Sequence, residues 1–409
     1  MDILPILSTL RRHKITAWLL IMQIALTCAI VCNAVFLIGQ RLQRMDMPSG
    51  IDEHNLVQIK LAYISNRPDA TARAQTDLAA LRQIPGVQQV ALSISLPFAM
   101  GGPNSDVMLD ARQKQRTLSA SNFFGQNLLP TLGLKLVEGR DFQPGEYVDL
   151  TTATAALQSG ELKGLPQTVI ITKAMAERLW PGQGALGKTI YFGQGVPFRV
   201  IGVLAGLTRS DSLRNGADYS MIMPISVDLT SGARYVIRCA PQDRAQVLGA
   251  ALAKLKQIDP RRVVLQKGTY DDVRRAFFAN DRAMAGILTG VVAALLIVTA
   301  LGIVGLASFW VAQRRRQIGV RRALGATRAN ILHYFQTENF LLATIGIVIG
   351  MALAVGSNLF LMKHYELPRL PAVYFPVGAI ALWMIGQLAV LGPALRAAAV
   401  PPVVATRSV

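Results

Sequence analysis

The chain has 409 residues, of which 52% are hydrophobic and 16% are charged, and its formal net charge is +18. It is therefore richer in apolar residues than an average soluble protein, and its three cysteines provide no disulfide framework. The positive charge suggests nucleic-acid binding, but the basic residues of the long polar segment are scattered, without interleaved aromatic residues. We instead expect basic membrane flanks and a soluble domain near anionic lipid.

The apolar residues concentrate in four segments that are nearly free of charge, residues 15–39, 283–312, 340–362 and 373–394. Each supplies the roughly 20 residues that cross a hydrocarbon core about 30 Å thick. The first segment has the basic start of a signal peptide, but it is long for a cleavable one and has no clear cleavage site. We predict four membrane-spanning helices, the first being an uncleaved anchor.

The short segments between the spans predict the orientation of the chain, because lysine and arginine favour the cytoplasmic side. Basic residues gather before the first span, between the second and third spans and after the fourth. We therefore expect both termini and the basic loop in the cytoplasm. The predicted order is tail 1–14, span 15–39, outer domain 40–282, span 283–312, cytoplasmic loop 313–339, span 340–362, outer loop 363–372, span 373–394 and tail 395–409.

The outer domain begins and ends with two similar units that each predict a strand, a helix and a strand. These elements are expected at 56–64, 69–84, 86–94, 234–240, 243–258 and 261–268. Two such units are the ingredients of a ferredoxin-like sandwich, here formed by residues 55–96 and 226–268, with an inserted β-rich subdomain at 97–225. The predicted fold class is therefore a four-helix membrane protein with an α+β outer domain.

Polar helices are expected to connect this outer domain to the membrane. The segments 39–47 and 269–288 are predicted to extend the first and second spans outward as a stalk. Helical segments bend less than glycine-serine linkers and therefore transmit motion.

A stretch inside the outer domain, PGQGALGKTI at residues 181–190, matches the phosphate-binding pattern G-x-x-x-x-G-K-T. A P-loop follows a strand and precedes a helix, whereas the flanks here predict a helix before Pro181 and a strand after Thr189. The segment is also expected on the side of the membrane where ATP is scarce. We interpret the pattern as a chance match in a glycine-rich turn.

Catalytic and metal-binding patterns do not stand out elsewhere. The four histidines have no metal-ligand spacing, Cys28 and Cys32 lie one helical turn apart in the first span, and Cys239 stands alone in the outer domain. We expect no enzymatic activity, no metal and no cofactor bound by this chain.

Several segments resemble the FtsX-like permease family, and within it the MacB-like branch. The loop QRRRQIGVRRALGATRANIL (313–332) matches the family signature, the segments 133–146, 169–190 and 198–206 resemble the MacB-like periplasmic domain, and 392–407 resembles the closing segment. The resemblance implies the permease subunit of a type VII ABC transporter in the bacterial inner membrane. In that family two permeases pair, and ATP used by cytoplasmic ATPases moves the periplasmic domains.

No ATPase domain precedes the first span, so we expect a separate ATPase subunit as partner. The favoured hypothesis is efflux by mechanotransmission, together with a periplasmic adaptor and an outer-membrane channel, because the outer domain is larger than FtsX usually has. The alternatives are an FtsX-like regulator of cell-wall hydrolysis and a lipoprotein-release permease.

The loop after the second span is the expected contact with this ATPase. Its apolar and basic residues alternate on a short helix, which suits docking into a groove of a partner. A helix lying flat on the membrane is the alternative, and binding of lipid headgroups is the alternative role of Arg314 to Arg316. The predicted coupling residues are Arg316, Ile318, Val320, Arg321, Arg322, Leu324 and Gly325.

Small and polar residues within the spans predict helix packing. Glycines four residues apart let helices approach closely, and the predicted packing residues are Gly286, Gly290, Gly346 and Gly350. Interhelical hydrogen bonds are expected, with a transport pathway as the alternative, for Gln23, Asn33, Asn358 and Gln387.

Overall fold

The structure, a computed structural model, describes residues 14–62, 69–159, 164–193, 195–211, 216–228, 232–365 and 370–400. Most of the predicted N-terminal tail, the end of the first predicted strand, part of the loop 363–372 and residues 401–409 lie outside these ranges. The helices are α1 (Lys14–Met45), α2 (Ala70–Arg82), α3 (Leu128–Leu132), α4 (Leu150–Ser159), α5 (Lys173–Leu179), α6 (Arg244–Ile258), α7 (Tyr270–Phe277), α8 (Ala279–Gln313), α9 (Arg315–Ala323), α10 (Arg328–Tyr365) and α11 (Tyr374–Ala398). The strands are β1 (Leu56–Ala62), β2 (Val87–Ser93), β3 (Asn104–Met108), β4 (Leu118–Phe124), β5 (Leu136–Gly139), β6 (Val148–Asp149), β7 (Thr168–Thr172), β8 (Thr189–Phe192), β9 (Val196–Leu204), β10 (Ser220–Met223), β11 (Ile225–Ser226), β12 (Arg234–Cys239) and β13 (Val263–Thr269).

These elements form two compact units. The membrane unit consists of residues 1–45 and 280–409, and the outer unit consists of residues 46–279. Within the described residues of the membrane unit, four helices are long and apolar enough to cross a bilayer: α1, α8, α10 and α11. The chain passes between the two units at residues 45–46 and 279–280.

A four-stranded antiparallel sheet of order β13-β1-β12-β2 joins the two ends of the outer unit. β1, α2 and β2 form one strand–helix–strand unit, and β12, α6 and β13 form the other, which confirms the predicted ferredoxin-like arrangement. Alternate residues of β1, Val57, Ile59 and Leu61, are fully buried and join one apolar core with Leu78 of α2 and Val247 of α6.

Seven strands between β2 and β12 form the predicted inserted subdomain. Their order is β5-β9-β7-β10-β4-β3-β8, and the further pairing of β8 with β9 closes six of the strands into a ring. Val169 and Ile171 of β7, Val200 of β9 and Met221 of β10 are almost fully buried. They belong to the same apolar core as the ferredoxin-like sheet, so both subdomains share one interior.

Only one of the two predicted stalk segments, the extension of the first span, forms a continuous helix. α1 extends beyond the first span to Met45, as expected, but the segment 269–288 is not one helix. α7 ends at Phe277 and α8 begins at Ala279. The ring of Phe278, between them, is 1% exposed and lies 5.1 Å from that of Phe98. Burial of this aromatic ring in the outer unit explains the interruption.

Helix α1 packs closely against α10 in the membrane unit. A methyl group on Gly350 would lie 2.5 Å from Cβ of Cys28, and one on Gly346 would lie 2.8 Å from the side chain of Ile24. This glycine pair therefore packs within the chain. By contrast, a methyl group on Gly286 or Gly290 of α8 meets no atom within 4 Å beyond the backbone of its own helix, so within the described residues that pair has no packing partner.

Polar side chains also form hydrogen bonds between the helices of the membrane unit. Oγ1 of Thr27 lies 2.8 Å from Oγ1 of Thr299 between α1 and α8, and Gln23 donates to the carbonyl of Val298 at 3.2 Å. The further predicted residues also form hydrogen bonds: Asn33 with Ala354 and Ser357, Gln387 with Gln336, and Asn358 with the amide of Leu370. The bonds of Gln23, Asn33 and Gln387 join two helices, as predicted, whereas Asn358 bonds to the segment that precedes α11. Polar groups in the hydrocarbon region need such partners within the protein.

The two glycine pairs give a matched test of helix packing. Gly350→Val should destabilise the purified permease in detergent by about 1–3 kcal/mol, because the side chain has no room against α1. Gly290→Val serves as the control and should leave the melting temperature nearly unchanged. Equal effects of the two substitutions on thermal unfolding would contradict this packing.

Candidate coupling site

The loop between the second and third spans folds as a short helix and a turn. Arg314, with φ −101° and ψ 11°, separates α9 from α8. Gly325 has φ +98°, in the left-handed region that glycine adopts without strain, so it ends α9 as predicted. Oγ1 of Thr327 accepts a hydrogen bond from the amide of Asn330 at 3.2 Å and caps the start of α10.

The two faces of α9 differ in exposure. Ile318 is 5% exposed and packs with Val311, Ile331 and Phe335 in an apolar cluster. The expectation that Ile318 faces a partner is therefore wrong, because its side chain fixes α9 to the adjoining helices. On the opposite face, Leu324 is 83% exposed and Val320 is 44% exposed.

The basic residues of α9 also differ in their contacts within the chain. The guanidinium group of Arg321 lies 5.0 Å from the centre of the Tyr334 ring, a cation–π contact. Arg322 donates to the carbonyl of Ala398 at 3.1 Å, at the C-terminus of α11, where a positive charge is favourable. Arg316 is exposed. Arg321 and Arg322 thus also hold α9 in place.

A buried ion pair anchors the start of α9. Nη1 of Arg314 lies 3.0 and 3.1 Å from the two carboxylate oxygens of Glu338 in α10. The side chains are 9% and 2% exposed, and the guanidinium group lies 5.6 Å from the centre of the Trp310 ring. For Arg314, the alternative role of a headgroup ligand is therefore wrong, because its guanidinium group is buried against Glu338.

Glu338 was not predicted as a site residue, although its position in the sequence is unusual. It is the only acidic residue between Gly319 and Tyr365, and an ionisable group beside an apolar span needs a partner. The partner could not be named from the sequence, because Arg314 and Glu338 lie on different helices.

The phosphate-loop pattern forms a turn in the outer unit. α5 precedes it and β8 follows it, which confirms the helix–turn–strand order. Gly182 and Gly187 have φ values of +69° and +77°. Nζ of Lys188 donates to Gln183 at 2.7 Å and lies 5.0 Å from the centre of the Trp180 ring. The lysine therefore stabilises the turn itself.

Together these observations define a four-span membrane protein with a large α+β outer domain and a partly exposed helix between the second and third spans. Residues 20–255 match the MacB-like periplasmic core domain, and residues 289–402 match the FtsX-like permease C-terminal domain. The chain belongs to the family with the MacB-like periplasmic core domain, and its membrane part is FtsX-like. It is an ABC transporter permease of the MacB/FtsX type in the inner membrane.

Named relatives agree with this class. YvrN of Bacillus subtilis (strain 168), an uncharacterized ABC transporter permease, is 27% identical over 280 residues, covering 64% of this chain and 68% of YvrN. The permease YknZ of the same organism is 24% identical over 420 residues, covering 98% of this chain and 97% of YknZ. The macrolide export ATP-binding/permease protein MacB of Chromobacterium violaceum is 27% identical over 287 residues, covering 68% of this chain and 42% of MacB.

The ion pair gives the sharpest test of this geometry. Arg314→Gln should destabilise the membrane unit by about 3–5 kcal/mol, because it removes the guanidinium group that pairs with the buried carboxylate of Glu338. Arg315→Gln, at the next and exposed position, should have little effect on thermal unfolding in detergent.

The double variant Arg314→Gln with Glu338→Gln removes both charges. It should recover part of the lost stability, since the buried carboxylate that has lost its arginine is removed as well. A double variant as unstable as the sum of the two single variants would show that the two groups do not interact.

Proposed function

We propose that this chain is the permease subunit of a type VII ABC transporter that couples a separate cytoplasmic ATPase to motion of the outer unit. The observation that carries the proposal is the exposed tip of α9. Leu324 and Val320 offer apolar surface beside basic residues, and Ile318 and Arg314 fix the same helix to the membrane unit. Displacement of a partner that is bound at the tip is therefore transmitted directly to the membrane helices.

α8 provides the path for this motion. It is a single helix of 35 residues, so its length is about 50 Å at 1.5 Å per residue. One end meets α9 at Arg314, and the chain enters the outer unit at the other. A displacement of α9 is thus passed along a stiff rod, and ATP is used by the partner alone.

The proposed partners and substrate direction follow from the similarity to exporters. MacB of Chromobacterium violaceum is named a macrolide export ATP-binding/permease protein, which supports export as the direction of transport. Efflux by mechanotransmission, with a periplasmic adaptor and an outer-membrane channel, is part of the same proposal. A second permease completes the membrane part.

The proposed orientation places α9 in the cytoplasm and the outer unit in the periplasm. Cysteine labelling tests it in the full chain, because Cys28, Cys32 and Cys239 are buried. Leu157→Cys, at a side chain 62% exposed in the outer unit, should react with a membrane-impermeant maleimide in intact cells. Leu324→Cys should react only after the inner membrane is opened. Labelling of both in intact cells would overturn the orientation.

The docking surface is tested by Leu324→Asp. Burial of an unpaired charge costs several kcal/mol, and about 1.4 kcal/mol already weakens binding tenfold. The variant should reach the membrane at normal levels yet retain at least tenfold less ATPase when the permease is purified in detergent. The matched control, Leu157→Asp, places the same charge at an exposed position of the outer unit and should retain the ATPase fully. Full retention by Leu324→Asp would place the contact elsewhere.

A further inference from the structure

Arg274 connects the two ends of the outer unit, the point where the chain arrives from α1 and the point where it leaves for α8. It lies on α7, and its Nη2 donates to the carbonyl of Met47 at 2.7 Å. Its Nη1 donates to the carboxylate of Glu53 at 2.6 Å. One guanidinium group thus holds residues 47–53, which follow α1, against α7, which precedes α8.

Aromatic rings enclose this guanidinium group. It lies 4.9 Å from the centre of the Phe98 ring and 5.5 Å from that of Phe278. Both rings are 1% exposed, so the group is held in an apolar, partly closed setting. Charge-assisted hydrogen bonds are stronger than neutral ones, and reduced access of water strengthens them further.

Both segments that Arg274 joins are fixed to the body of the outer unit. The Tyr270 hydroxyl donates to the carbonyl of Pro97 at 2.7 Å, and its burial raises the pKa of Tyr270 well above the ordinary value. In the segment that follows α1, the carbonyl of Pro48 accepts a hydrogen bond from Oγ1 of Thr208 at 2.7 Å. The carbonyl of Ser49 accepts one from the amide of Thr208 at 2.9 Å. Met47 precedes these anchors, so Arg274 extends the attachment toward α1.

An ion-pair cluster holds the corresponding ends in the membrane unit. Asp281, near the start of α8, is 7% exposed at its side chain. Its carboxylate lies 2.5 Å from Nη1 of Arg41 and 3.5 Å from Nη1 of Arg44, both near the end of α1. The outer ends of α1 and α8 are therefore also tied together before the chain passes between the units.

We propose that Arg274 is a positioning residue for coupling, which makes the outer unit follow α1 and α8 as one body. This inference rests on the proposed function, because it assigns a residue to the transmission of motion. Arginine suits the role because its planar fork of donors serves two acceptors while its face stacks on aromatic rings. With both connections fixed to one body, displacement of either helix moves the whole unit.

Hydrogen exchange on the full-length permease in lipid nanodiscs tests the clamp itself. Arg274→Met keeps an apolar stem against Phe98 and Phe278 and removes the donors. Amides in residues 46–53 should then exchange about tenfold faster, which corresponds to about 1.4 kcal/mol. Exchange in β12, in the centre of the ferredoxin-like sheet, should stay unchanged. Unchanged exchange in 46–53, or faster exchange throughout the sheet, would overturn the proposal.

Two controls separate the contacts of Arg274. Arg275→Met changes the next residue of α7, whose side chain is 68% exposed and pairs with Asp272 on the surface, and should behave as the wild type. Glu53→Gln removes the carboxylate charge but leaves the bond from Arg274 to Met47. It should loosen residues 46–53 less than Arg274→Met does. An equal effect of Glu53→Gln would show that the bond to Met47 contributes nothing.

Coupling is measured with spin labels at Leu157→Cys in the outer unit and Leu388→Cys in α11, both exposed positions. Labelled permease is diluted with unlabelled permease and purified with its ATPase. ATP with vanadate should shift the distance distribution relative to ADP, and Arg274→Met should abolish the shift while ATP hydrolysis continues.

The outcomes separate the two proposals. A shift that persists in Arg274→Met contradicts the role of Arg274 and leaves the proposed function intact. Absence of a shift in the labelled protein that retains Arg274 contradicts the proposed function. The exchange experiment still decides whether Arg274 holds residues 46–53 against α7.

Discussion

The membrane unit depends on one constraint: a polar group in the hydrocarbon region must find its partner within the protein. This constraint matters most for α8, since 11% of its most apolar stretch is buried inside the chain, compared with 56% for α1. Polar contacts hold α8 at three levels: Thr299 lies within the predicted span 283–312, and Asp281 and Arg314 lie just beyond its two ends.

This mode of attachment connects the fold to the proposed function. A helix held by directional contacts keeps a defined position. The ion pair of Arg314 with Glu338 joins α8, α9 and α10, so that force applied at α9 acts on two spans. In the outer unit, a shared core and the contacts of Arg274 join the pieces that such motion would otherwise separate.

The parts of the fold that depend on local pattern could be predicted from the sequence. Charge-free stretches indicate the spans, two strand–helix–strand units indicate the ferredoxin-like sheet, and Gly325 ends α9 because only glycine takes its φ without strain. The missed features depend on residues distant in sequence. Phe278 interrupts the stalk because it packs on Phe98, and Ile318 is buried because α10 covers it. Periodicity on one helix cannot show which face a distant segment covers.

The central claim is that the exposed tip of α9 is the contact with an ATPase. The most direct measurement is photo-crosslinking in living cells from a photoreactive amino acid placed at position 324, followed by mass spectrometry of the product. The account predicts a product that joins the permease to an ABC ATPase, and no such product from position 157 in the outer unit. A permease that crosslinks at position 324 to lipid alone, while the ATPase is present in the same membranes, would contradict it.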